Sequence, residues 1–206
     1  MRDAARLLAV EAEVLPGLLM GIETEAFDRP TVCTGWSVRD VLAHCSGAMS
    51  DLVADTLGDF GPADNQRAVD ERAGWPIDRL LDELFAIYPA AVARIDELAG
   101  AMDGMGLGEW IHGGDIREPL GLPGAYASEG SDLALSLISA RSAQRGAPAL
   151  ELTVDGEEVA FGLGDPVGRL VTDTETFVRL VSGRRPDPDR FRLTGAASPA
   201  SLLLFG

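Results

Sequence analysis

Positive charge is scarce in this sequence. Seventeen arginines or lysines stand against 33 carboxylates, leaving a formal net charge of -16. A field of that sign repels phosphate backbones and anionic lipid surfaces, so neither nucleic acid nor membrane is an expected partner. Cysteine is nearly absent as well. Cys33 and Cys45 form no CxxC pair, which excludes a disulfide framework and reads as two reduced thiols. No apolar run approaches the roughly 18–20 residues of a membrane-spanning helix. The opening MRDAARLLAVEAEVLPGLLMG is interrupted by Asp3, Arg6, Glu11 and Glu13 and lacks a small-residue cleavage site. No signal peptide is expected there, and the expected location is the cytoplasm. Low-complexity tracts and internal repeats are missing too.

What the chain does have is an ordinary globular composition, 46% hydrophobic and 24% charged over 206 residues, enough for one large or two small packed domains. Four helices are expected in the first 120 residues. The first spans Arg2 to about Gly21, with Leu7, Leu8, Val14, Leu15, Leu18 and Leu19 at helical spacing and Pro16 as a candidate kink. The second runs from Ser37, a good N-cap, to about Leu57, with Val38, Val41, Leu42, Cys45, Met49 and Leu52 on one stripe. A polar loop is expected over Gly61 to Gly74. The third helix starts at Pro76 and ends near Gly100, and the fourth covers about Leu107 to Arg117 despite glycines at 108, 113 and 114.

The run Pro119-Leu-Gly-Leu-Pro-Gly124 marks a boundary, with residues 119–129 as linker, a helical part over 1–120 and a smaller part over 128–206. In the second part the pattern predicts a helix over Ser131–Gln144 and a hairpin of 149–154 with 158–161 around Asp155-Gly156. Further on come a strand at Gly168–Val171, a helix at Thr174–Ser182, a strand at Phe191–Thr194 and a short terminal helix at Pro199–Phe205. The expected fold class is α+β.

Both histidines fall in the helical part. His112 sits in Glu109-Trp-Ile-His-Gly-Gly-Asp115, where residues three apart share a helix face, so Glu109, His112 and Asp115 project together and His44 on the second helix can meet them. Imidazole and carboxylate donors suit zinc and its neighbours, and three protein ligands leave one position open. The bland alternative is a pair of hydrogen-bonded core histidines. Trp36 and Ser37 read as a helix entry, and Cys45 reads as core. Cys33 sits in a loop with nothing in the sequence to place a base beside it. Arg184 and Arg185 follow Gly183 at a helix end, where cations favour the dipole; they are also the candidate cations for an anionic ligand.

The run Pro30-Thr-Val-Cys-Thr-Gly-Trp-Ser-Val-Arg-Asp-Val-Leu-Ala-His44 resembles a signature of the mycothiol-dependent maleylpyruvate isomerase family of actinobacteria, and His112-Gly-Gly-Asp-Ile-Arg-Glu-Pro-Leu-Gly121 is similar to that family's second motif. Leu180-Val-Ser-Gly-Arg-Arg185 and Arg190-Phe-Arg-Leu-Thr-Gly195 resemble its small C-terminal domain. The resemblance implies a four-helix DinB-like metal-binding bundle followed by a small α+β domain likened to sterol-carrier folds. It further implies zinc or another divalent metal on His44 and His112, with mycothiol as co-substrate in isomerisation or thiol transfer on a small molecule. The family's glutamate four residues before the second histidine falls on Gly108 here, which leaves the third ligand to Glu109, to Asp115 or to water. A second functional class, a non-catalytic small-ligand or partner-binding protein that has lost the full metal site, is expected to keep ligand affinity without turnover.

Overall fold

The computed structural model describes residues 1–59 and 61–205. It divides into two compact units, Met1–Ala125 and Tyr126–Gly206. The class is α+β, with a helical first unit and a small sheet in the second.

Four long helices make the first unit: α1 (Asp3–Leu19), α2 (Val38–Ala54), α4 (Ile77–Glu97) and α5 (Asp103–Leu120), with a short α3 (Pro62–Asp70) between α2 and α4. Helix α2 packs on α4, and α1 packs on both α4 and α5. The apolar stripes dictate this. Leu7, Leu8 and Leu15 of α1, Val41, Leu42 and Met49 of α2, and Leu80, Leu84 and Ile95 of α4 are all buried. Helix α1 continues through Pro16 to Leu19. Helix α3 occupies the stretch expected as a polar loop. Its mostly polar composition carries no core stripe; Pro62 in the first turn and the burial of Ala68 and Val69 against α2 hold it.

Helix α5 is longer than expected and runs through Pro119, with Gly121 in the left-handed conformation (φ 69°) just past its end. It is buried almost all round, so no amphipathic stripe announced it. Its glycines are where α1 comes close. A Cβ on Gly106 would collide with the Ala4 carbonyl oxygen, and one on Gly113 would collide with the Glu11 carboxylate. There Glu11 receives two hydrogen bonds from Arg117, at 2.6 and 3.0 Å, both side chains being buried. Each glycine costs about 1 kcal/mol of helix propensity. The close approach and the ion pair it admits offset that cost.

In the second unit α6 (Ser131–Gln144) precedes a four-stranded sheet of order β2-β1-β3-β4, made of β1 (Glu151–Val154), β2 (Glu157–Val159), β3 (Gly168–Thr172) and β4 (Phe191–Gly195), with α7 (Thr174–Ser182) between β3 and β4. β1 and β3 are parallel; the outer pairs are antiparallel. The expected hairpin forms, with positive φ at both Asp155 (50°) and Gly156 (89°), as a two-residue primed turn requires. The terminal helix is reduced to one turn over Pro199–Leu202. Beyond it the Leu204 N–H donates to the Val181 carbonyl and Arg141 Nε donates to the Leu204 carbonyl, so the backbone is spent on α7 and α6 instead of on a continuing helix. No helix among the described residues is long and apolar enough to cross a membrane.

Candidate metal centre

A short turn delivers the first donor. Pro30 and Ser37 bridge across it, the Thr31 N–H donates to the Trp36 carbonyl at 2.9 Å, and the Trp36 N–H donates to the Cys33 carbonyl at 2.9 Å. The Thr31 hydroxyl donates to the Trp36 carbonyl and accepts from the Cys33 N–H at 3.1 Å. Gly35, with φ 85°, permits the reversal. The chain then enters α2 through a capping box. The Asp40 N–H donates to Ser37 Oγ, and the Asp40 carboxylate accepts from the Ser37 N–H at 2.8 Å. This box fixes the start of the helix that carries His44.

From this turn the Cys33 thiol donates to Asp115 Oδ2 at 3.2 Å, and His112 Nδ1 lies 2.9 Å from the same oxygen. Asp115 is fully buried and the other two are partly buried. One ligand atom from each of Cys33, His112 and Asp115 lies within 4.8 Å of the others. Donors about 2.0–2.3 Å from a tetrahedral zinc stand about 3.3–3.8 Å apart, so the three need only small movements to enclose one ion.

His44 completes the surroundings. Its ring is 5.0 Å from that of His112, edge to face, and 5.1 Å from that of Trp36. Its buried Nδ1 has no hydrogen-bond partner among the described residues, a costly state for a polar atom unless a ligand engages it. His44 also lines a shallow, open hollow together with Asp51, Asp64, Asn65 and Arg67.

The two imidazoles are electrically unlike. Burial, and then the neighbouring His112 charge, hold His44 down at about 3, so it is neutral with a free lone pair. Burial also opposes charge on His112, but its hydrogen bonds with the Asp115 carboxylate and with Cys33 outweigh it and lift His112 to about 9.

Glu109 lies elsewhere in the hydrogen-bond pattern. Its Oε1 accepts from the Tyr88 hydroxyl at 2.9 Å, and the Cys45 thiol is its other neighbour. Burial raises Glu109 above the usual carboxylate range and pushes the Tyr88 and Cys45 groups well up. A Cβ on Gly108 would meet nothing within 4 Å. Arg184 and Arg185 lie just past α7 in the second unit: Arg184 donates to the Ser182 carbonyl at 2.8 Å, and Arg185 is exposed. Sequence reasoning missed Cys33. Its only signal was its place in the same motif as His44, because no spacing rule ties a loop thiol to a helix eighty positions away.

Sulfur, imidazole and carboxylate are the donor types that zinc takes, and the orphaned His44 Nδ1 supplies a further one, so the residues present fit a divalent metal. The family model described as the mycothiol maleylpyruvate isomerase N-terminal domain matches residues 8–117. Among solved structures, the crystal structure of the mycothiol-dependent maleylpyruvate isomerase superposes with a TM-score of 0.56 at 14% identity, covering 96% of this chain and 94% of that one. A histidine-to-alanine mutant of it gives 0.55, with the same identity and coverage. These likenesses establish a shared fold over nearly the whole chain. No curated protein matches.

Proposed function

The chain belongs to the mycothiol maleylpyruvate isomerase family, and from that membership we propose that it is a metal-dependent isomerase or thiol transferase acting on a small molecule with mycothiol as co-substrate in the cytoplasm. The observation that carries the reading is the approach of His44 and His112, from α2 and α5, to each other beside the buried Asp115 carboxylate, with His44 Nδ1 unsatisfied among the described residues. His44 and His112 with Asp115 would hold the metal. When bound, a divalent ion of this kind stabilises a thiolate and polarises a carbonyl, leaving a position for substrate or thiol.

The protein's own groups supply the rest. Asp115 fixes the ring orientation of His112 through their 2.9 Å contact. Trp36 packs on His44, with the ring centroids 5.1 Å apart. In an isomerisation the thiolate adds to one carbon of a cis double bond conjugated to a carbonyl, the new single bond rotates, and the thiolate leaves as the double bond re-forms. No net oxidation occurs and the thiol is returned.

Turnover of maleylpyruvate with mycothiol, followed by the change in ultraviolet absorbance, tests the reading. The expected result is thiol-dependent isomerisation in zinc-loaded protein that falls at least about 100-fold in His112→Ala. Turnover unaffected by that substitution contradicts the assignment. A second reading, a small-ligand or partner-binding protein without turnover, is favoured by one observation: position 108 is a glycine with empty space around it. Its mark is mycothiol affinity without isomerisation.

A further inference from the structure

The donor cluster contains one group that neither the histidine motif nor the carboxylates account for. Cys33 sits in a turn closed by two backbone hydrogen bonds, one of them from the Trp36 N–H to its own carbonyl, and its N–H donates to the Thr31 hydroxyl at 3.1 Å, so the turn itself positions it. Its sulfur lies 3.2 Å from the fully buried Asp115 Oδ2, in the set whose donor atoms all fall within 4.8 Å. Glu109, by contrast, already has the Tyr88 hydroxyl and the Cys45 thiol as partners.

We propose that Cys33 is a thiolate ligand of the metal, making this a mixed sulfur, nitrogen and oxygen centre built from the turn before α2 and from His112 and Asp115 of α5. The proposal rests on the reading of the helical unit as a metal site and specifies its ligands. On binding, the S–H bond of Cys33 gives way to a sulfur–metal bond and the proton goes to solvent; no oxidation state changes. A thiolate ligand shifts preference towards zinc and cobalt and away from magnesium and manganese. It also makes the metal releasable by thiol alkylation, with Cys45, which is fully buried, as an internal control.

Cobalt(II) titration of the metal-free protein tests this directly, because tetrahedral cobalt shows visible bands and each thiolate ligand adds a near-ultraviolet charge-transfer band. The expected result is both sets in the wild type and in Cys45→Ser. In Cys33→Ser the near-ultraviolet band is lost and cobalt affinity falls roughly 10–100-fold or more. Visible bands without the charge-transfer band in the wild type, or a band that survives in Cys33→Ser, overturn Cys33 as ligand while leaving the metal site standing. If cobalt produces no bands at all, both the ligand assignment and the metal-site reading fail. Protection of Cys33 from iodoacetamide by zinc in the wild type gives the same answer without a variant. Equal labelling rates with and without zinc overturn the proposal.

Discussion

Gly106, Gly108 and Gly113 share one helix and face different surroundings, so the same substitution has opposite effects along it. At Gly108 an added methyl meets open space, and Gly108→Ala is expected to raise stability by up to about 1 kcal/mol through helix propensity alone. At Gly113 the methyl strikes the Glu11 carboxylate and crowds Arg117, and Gly113→Ala is expected to lose about 1–3 kcal/mol. Denaturant midpoints of the two variants check the contrast. Glu11→Gln strands Arg117 in a buried position and should cost about 3–5 kcal/mol by the same measurement. The site was partly legible at this scale. His112 and Asp115 share a face because of their spacing on a helix, a rule local enough to read from letters. Cys33 joins them only through the tertiary approach of the turn to α5, which no local pattern encodes. The role of Gly113 was likewise hidden, since its reason lies on another helix.

Helices with a one-sided stripe and a capping residue were the easiest elements to read. Helix α2, with its Ser37 cap, and α7, capped by the Asp173 side chain, carry both signals. Ser37→Ala removes one arm of the capping box and is expected to cost about 1 kcal/mol, read as a lower thermal midpoint. Helix α3 was missed because its stability comes from a clamp outside itself. Just beyond its end, Arg72 donates to Glu83 of α4 at 2.6 and 3.2 Å, and Ser46 of α2 bonds the same carboxylate. Burial pushes Glu83 up, but the Arg72 and Ser46 hydrogen bonds outweigh it and hold this carboxyl below its ordinary value of 4.5. A depressed folded value means that the stabilisation is complete above the unfolded value and is lost as pH falls through the folded one. The acid limb of the stability profile below about pH 4.5 should therefore be shallower in Glu83→Gln than in the wild type. Superimposable limbs would remove Glu83 from the account.

For the whole chain, the composition already required a packed fold, and the change of pattern after residue 120 required two kinds of structure in sequence. The α+β class followed from that, whereas the order and direction of the four strands did not, because β1 and β3 become neighbours only through long-range pairing. The net charge of -16 also acts at this scale: it draws cations towards the molecule, so divalent-metal association should slow as ionic strength rises. Metal binding in the helical unit couples to its stability by mass action. Zinc at 100 times its dissociation constant is expected to add about 2.7 kcal/mol, and a chelator to remove it. The central claim, that α2 and α5 assemble a metal centre around His112, is tested most directly by elemental analysis of untagged protein after incubation with zinc and removal of excess. Near-stoichiometric zinc in the wild type and its loss in His112→Ala is the expected result. A metal-free wild type, or a variant that keeps its full zinc content, contradicts it.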